Sequence, residues 1–413
     1  MIKKLFDKYS SLFLMAMMIG VGGINYLFQI VIGRTLTIEE YGTVNSLLSL
    51  TSIISVPGTI LAMIISKQIS IALAKGNTSA VKSLARIFII TTCLIGLGLV
   101  LIEICLSGWI GRYLHVNETG YVVICCVISG LTITLQSFAG TIQGMQKFFE
   151  YGFQSFITAI CKIGFSVLLI ISGFKVGGPL WGMLIAQVAT LCYCMLVLQR
   201  AFSGENYIPV DIKQTLRECS RDLWVIALGQ LNISILTNCD LILVKRFFDE
   251  TDAGIYSAAI IIARLVMYVS TMLIYVLFPK VANQTAQGKD TQKLFLKSLV
   301  ANLVIIAAGC VGIALLGKWI IQLFLGNAYL QSYDMIKIAL VYIVPVSVFT
   351  IITNYVSATD KVCFFTVSST VGTVLVLIAA CVFHATIMQM LLIMGFILAM
   401  VCMVNIIHIL VRK

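Results

Sequence analysis

Apolar residues run along this chain in long, nearly unbroken stretches and do not alternate with polar ones. Twelve such stretches stand out, at residues 12–32, 44–66, 87–106, 121–144, 154–173, 177–198, 223–244, 255–278, 298–324, 336–357, 363–383 and 388–410. A helix crossing a hydrocarbon layer about 30 Å thick needs roughly 20 apolar residues, and each stretch reaches that length. The period-two alternation of a membrane β-barrel is absent from these stretches, and a lipid-exposed backbone must satisfy its own hydrogen bonds. The expected fold is an all-α integral membrane protein of about 12 transmembrane helices. Composition agrees: of 413 residues 60% are apolar and 11% charged, with a mean hydropathy of +1.04, more apolar surface than a soluble core uses. The first stretch follows Lys3, Lys4 and Lys8 as a signal peptide's would. It lacks a small-x-small cleavage site, however, and so reads as a retained helix.

Basic residues fall unevenly about these stretches. Of 28, 19 lie in segments on the side holding both termini and six on the other (Arg34, Arg112, Lys175, Lys245, Arg246 and Lys318), with Lys162, Arg264 and Lys337 inside or at the edge of spans. Cytoplasmic loops keep an excess of positive charge, so both termini are expected in the cytoplasm. Orientation and attraction to anionic headgroups account for the net charge of +11, and no nucleic-acid partner is implied.

The chain also repeats itself. Ile32-Gly-Arg34-Thr-Leu-Thr-Ile-Glu-Glu-Tyr-Gly42 falls on Val244-Lys-Arg246-Phe-Phe-Asp-Glu-Thr-Asp-Ala-Gly254 at an offset of 212, and Ala74-Lys-Gly76 falls on Ala286-Gln-Gly288. Two six-helix bundles are expected, 1–200 and 222–413, joined by a polar cytoplasmic linker at 201–221 that contains Ser203, Gly204, Glu205, Asn206 and Pro209. An even number of helices per half gives both halves one orientation, related by an axis along the membrane normal, with substrate expected between them.

Gly33-Arg34-Thr-Leu-Thr-Ile-Glu-Glu-Tyr41-Gly42, then Asn238-Cys-Asp240-Leu-Ile-Leu-Val, Ala253-Gly254-Ile-Tyr256-Ser-Ala-Ala and Leu277-Phe278-Pro279-Lys280 together resemble the polysaccharide repeat-unit flippases of Wzx type, in the MOP exporter superfamily. The resemblance implies a translocase moving undecaprenyl-pyrophosphate-linked oligosaccharide, such as O-antigen, lipopolysaccharide or capsule units, from the cytoplasmic to the outer leaflet of a bacterial plasma (inner) membrane. It further implies alternating access driven by an ion gradient, no cofactor, and polysaccharide polymerase and chain-length proteins as partners.

A pyrophosphate crossing hydrocarbon needs a buried cation to offset its charge. Arg264 lies near the middle of the eighth span, where an isolated charge costs at least about 2.5–3.5 kcal/mol, and guanidinium suits bidentate phosphate binding. Lys162 is mid-span in the fifth stretch, whereas Lys337 is near an outer end where its stem can snorkel. These three are the substrate-binding candidates; the alternative for Arg264 is a structural ion pair. Asp240 and Glu103 lie toward the outer ends of their spans and can carry a coupling proton or pair with a basic residue. Asn238 beside Asp240, and Asn25 and Gln29 on the first helix, are expected to line the cavity.

Other signals carry no chemistry. Gly312-Ile-Ala-Leu-Leu-Gly317-Lys318 has the spacing of a phosphate-binding loop, but Trp319 stands where a magnesium-holding hydroxyl belongs. The His residues have no partners at metal spacing, and the 13 Cys residues are scattered without a CxxC. The rival functions are export of another amphipathic cargo, such as a drug, teichoic acid or peptidoglycan precursor, and a membrane polymerase or ligase. A polymerase would need a sizeable outer loop, and the outer loops read as shorter than about 15 residues.

Overall fold

The computed structural model describes residues 2–74, 76, 78–116, 118–203, 212–286, 291–357 and 362–411. These contain thirteen α-helices, one 3₁₀ turn (Asn327–Tyr329) and no strand. The helices are α1 (Ile2–Thr35), α2 (Ile38–Ile54), α3 (Val56–Ala74), α4 (Thr78–Tyr113), α5 (Thr119–Gly144), α6 (Phe148–Ile171), α7 (Gly177–Ala201), α8 (Ile212–Phe247), α9 (Glu250–Ala286), α10 (Gln292–Phe324), α11 (Ser332–Ser357), α12 (Val362–Val382) and α13 (Ile387–Val411). Twelve helical segments are long and apolar enough to cross a membrane, the all-helical architecture expected from the apolar stretches. Of the linker expected at 201–221, residues 204–211 lie outside the described residues.

The short sequence repeat extends to the helix boundaries. Thr35 ends α1 and Phe247 ends α8; Ile38 opens α2 and Glu250 opens α9; Ala74 ends α3 and Ala286 ends α9, each pair 212 residues apart. One element breaks the symmetry. The segment matching α9 is split into α2 and α3 at Ser55, just before Val56-Pro57, and Gly58 N–H bonds back to the Ser55 carbonyl at 3.0 Å. Proline has no N–H for the helical ladder and clashes with the preceding turn. Val269 stands at the corresponding place in α9, and that helix continues.

By internal packing the chain forms two compact units: Met1–Leu36 with Ile54–Arg221, and Thr37–Ile53 with Asp222–Lys413. In the first, α5 is the central helix. Gly140 and Gly144 bring it so close to α3 that an added Cβ would lie 2.5 Å from the Ala62 carbonyl oxygen and 2.8 Å from that of Ser66, the small-xxx-small packing that suits helices without a hydrophobic drive to associate in lipid. Phe138 and Ile142 of α5 join Cys194 and Leu198 of α7 in the core. Outward, α4 shows Leu94, Leu97 and Leu101 along one exposed stripe, a face suited to lipid.

In the second unit the Glu250–Tyr268 part of α9, and α11, are mostly buried, while α10 exposes Val304, Val311 and Leu315. This unit includes α2. Thr37 caps that helix: its hydroxyl accepts the Glu40 N–H at 3.2 Å and Glu40 Oε2 accepts the Thr37 N–H at 3.0 Å, a reciprocal capping box. Gly42 of α2 then packs on Gly254 of α9, its own repeat mate. A Cβ on Gly254 would lie 2.0 Å from the Ile38 carbonyl oxygen, so the crossing admits no side chain.

Candidate functional site

In the second unit, Asp240 on α8 is fully buried and Arg264 on α9 nearly so. Arg264 Nη2 lies 2.8 Å from Asp240 Oδ1, and the Tyr256 hydroxyl donates to Asp240 Oδ2 at 2.9 Å. Tyr256 precedes Arg264 by eight residues, close to two helical turns, so one face of α9 supplies both groups. Each carboxylate oxygen thus has a donor. Tyr342 of α11 closes the neighbourhood, donating to the Leu236 carbonyl with the Cys239 thiol 3.7 Å away. Arg264 Nε is buried without a partner, but the side chain's charge is already met. Asn238 turns back to its own helix, donating to the Ser234 carbonyl at 2.9 Å.

In the first unit the buried charges are arranged differently. Lys162 on α6 is half-buried, donates to Asn25 Oδ1 of α1 and lies 4.4 Å from the centroid of the Phe28 ring. Among the described residues no carboxylate reaches it. An amide oxygen and an aromatic face hold the ammonium by dipole and quadrupole and leave its full charge in place. Gln29 is half-buried one turn along α1. Lys162 belongs to a row on α6, Gln154, Thr158, Lys162 and Ser166, at four-residue spacing. Gln154 accepts from Cys194 and Thr158 bonds Thr190, both across to α7, at 2.8 Å and 2.7 Å.

Glu103 on α4 is 6% exposed. Its Oε2 lies 2.7 Å from the Ser129 hydroxyl of α5, and Oε1 is buried with no partner. Lys337 is exposed, paired with Asp334 at 3.0 Å and lying over the Tyr333 ring at 4.5 Å. The structure therefore brings together two pairs of sequence candidates, Arg264 with Asp240 and Lys162 with Asn25, and keeps Glu103 and Lys337 apart from both.

Two polar groups lie outside the sequence candidates. Tyr256 was seen only as part of a motif, although its spacing to Arg264 placed both on one helix face. Lys245, counted among outer-loop charges, is 1% exposed and bonds Glu250 at 3.2 Å and the Thr43 hydroxyl of α2 at 3.1 Å. No metal-ligating cluster of His, Cys, Asp or Glu is found among the described residues.

A model of the polysaccharide biosynthesis protein family matches residues 9–284. No curated protein matches the chain. Among solved structures, a multidrug resistance MATE family transporter of the MOP superfamily in its inward-facing conformation is 14% identical over 94% of this chain and 93% of its own, with a TM-score of 0.77. A multidrug resistance MATE family transporter of the MOP superfamily in an outward-facing conformation gives 14% identity over 98% of this chain and 95% of its own, with a TM-score of 0.68. The lipid II flippase MurJ, inward closed, gives 13% identity over 96% and 90%, with a TM-score of 0.68. At these identities the likeness establishes the fold, that of MOP-superfamily transporters.

Proposed function

We propose, for a chain that belongs to the polysaccharide biosynthesis protein family, that it flips undecaprenyl-pyrophosphate-linked oligosaccharide repeat units from the cytoplasmic to the outer leaflet of a bacterial inner membrane. The observation that carries the proposal is Lys162, a half-buried cation in a membrane-spanning helix held by Asn25 and Phe28, with no carboxylate beside it among the described residues. An ammonium kept unneutralised at that depth costs free energy unless an anion visits it, and the pyrophosphate of a lipid-linked sugar is such an anion. Arg264, whose charge is met by Asp240, is assigned the role of holding α8 to α9, with Asn238 and Gln29 lining the path.

Transport proceeds in this reading by alternating access, with both termini cytoplasmic as the basic-residue count implies. Polymerase and chain-length proteins would act on the product.

Two rivals fare worse. A cationic drug would meet Lys162 as a like charge, and the buried acid that would attract it, Asp240, is taken by Arg264. A polymerase or ligase needs room for catalytic groups outside the spans. The connections α1–α2, α4–α5, α6–α7, α8–α9, α10–α11 and α12–α13 run from two to seven residues.

The test is genetic and chemical. Deleting the gene should strand sugar-linked lipid on the cytoplasmic leaflet, and a plasmid copy should restore surface polysaccharide while Lys162→Ala should not. Absence of stranded lipid in the deletion strain would overturn the proposal.

A further inference from the structure

Glu103 is used by none of the roles assigned above, and its surroundings count protons. Ser129 Oγ lies 2.7 Å from the Cys126 carbonyl oxygen and 2.7 Å from Glu103 Oε2. A hydroxyl has one proton to give, and a carbonyl has none. If Ser129 donates to the Cys126 carbonyl, the usual back-bond of a helical serine, the contact with Glu103 needs a proton supplied by the carboxyl itself. The second carboxyl oxygen leads to the same place by a different route. Glu103 Oε1 is buried without a donor, and an ionised carboxylate left so would be an uncompensated buried charge.

Among the described residues no ion pair involves it. α4 packs against α3 and α5. α5 contains no charged residue, and the one charged residue of α3, Lys67, is exposed. The other charged residues of α4 are Lys82, Arg86 and Arg112. The nearest, Arg112, is nine residues along, about 13 Å at the helical rise, and its Nε is spent on the Gly108 carbonyl. The groups facing Glu103 are the Ser129 hydroxyl and the Cys126 thiol, both neutral.

We propose that Glu103 is a proton-binding site: in this conformation it is a neutral carboxylic acid donating to Ser129, and it gives that proton to water during the transport cycle. Loss of the proton would put a carboxylate against α5 with only the Ser129 hydroxyl and the weak Cys126 thiol donor facing it, and so favour a packing of α4 on α5 that admits water. Unit 1 then holds two separately placed titratable groups, Lys162 for the anionic cargo and Glu103 for the proton. The coupling half of this inference rests on the flippase reading; the protonation half does not.

Two measurements separate them. Infrared difference spectra of the purified protein in lipid nanodiscs, at neutral pH, should show a protonated carboxylic-acid carbonyl stretch that vanishes in Glu103→Gln, shifts in Ser129→Ala and stays in Asp240→Asn. A wild-type spectrum indistinguishable from that of Glu103→Gln in this region would overturn the site. In proteoliposomes carrying lipid-linked oligosaccharide, an imposed pH gradient should accelerate flipping by the wild type severalfold and leave Glu103→Gln unmoved, since the amide keeps the hydrogen bond and cannot release a proton. An equal response of Glu103→Gln to the gradient would overturn the coupling. Wild-type vesicles that bear the infrared band but flip nothing would refute the choice of cargo and leave the proton site standing.

Discussion

The two units handle buried charge in opposite ways. The second pairs it: Arg264 and Asp240 meet at 2.8 Å with Tyr256 on the second carboxylate oxygen. The first keeps its charge-bearing groups apart, with Lys162 held by an amide and a ring and Glu103 by a hydroxyl. A paired buried charge is committed, because breaking it leaves its partner stranded in low dielectric. A buried cation held only by neutral groups has a place for an anion. The same fold, built twice from one repeat, thus supplies one half whose buried charge is met and one half whose buried cation is not.

The sharpest way to break this comparison is to remove Arg264. Arg264→Ala leaves Asp240 buried and unpaired, and should cost about 3–5 kcal/mol of stability, read as a loss of folded protein in detergent thermal unfolding. The double variant Arg264→Met with Asp240→Leu should recover most of that loss, since no charge is left to strand. If the double variant is as unstable as the single, the network is not the closed pair described here.

Lys162 should behave in the other sense. Lys162→Met leaves the neutral Asn25 behind, so thermal unfolding should shift little, by about one ordinary hydrogen bond's worth, 0.5–1.5 kcal/mol. Flipping in vesicles should fall by roughly tenfold to a hundredfold, the equivalent of a charged hydrogen bond of about 1.5–3 kcal/mol, and Lys162→Arg should keep part of it. Were Lys162→Met to unfold the protein as readily as Arg264→Ala, the two units would not differ.

Much of this was readable in the sequence, and the reasons differ by residue. Spans follow from apolar length because hydrocarbon imposes one thickness on all of them, and the repeat followed from Gly42 and Gly254. Arg264 and Lys162 stood out as charges in apolar runs. Their partners did not: Asp240 is 24 residues from Arg264 and Asn25 is 137 from Lys162, on other helices, and nothing local marks such a pairing. The break at Ser55 was hidden because α2 and α3 are both apolar enough to read as one run, although Pro57 was visible within it. Lys245 was read as a loop charge because counting by loop does not reveal that Thr43 and Glu250 fold over it.

The crossing of α2 on α9 sharpens the comparison further, since it gives the second unit a rigid seam. Gly254→Ala places a Cβ 2.0 Å from the Ile38 carbonyl oxygen, backbone that cannot step aside. Overpacking of this kind costs about 1–3 kcal/mol, and thermal unfolding should show it. Gly98→Ala, on α4 where a Cβ meets nothing within 4 Å, is the control and should be neutral or slightly stabilising, because alanine loses less backbone entropy in a helix. Equal tolerance at both positions would mean that α2 does not sit tightly on α9.

The smallest expected effect is one of pH on that same seam. The Glu39 carboxyl is held below the ordinary carboxylate range, first by a backbone amide at the start of α2 and then by the Thr251 hydroxyl, which donates to Oε1 at 3.0 Å. A group with a depressed folded-state pKa contributes stability that is present above its unfolded value and is lost as pH falls through the folded one. Glu39 should therefore strengthen the contact between α2 and α9 undiminished from neutral pH down to about pH 5, and progressively less below the ordinary carboxylate value near 4.3. Comparing thermal unfolding of the wild type with that of Glu39→Gln across this range isolates the group: the gap between them should be constant at the upper end and close at the lower. Water screens this partly exposed side chain, so the gap itself is small. A gap that persists undiminished at pH 3 would mean that Glu39 supports the contact by something other than its charge.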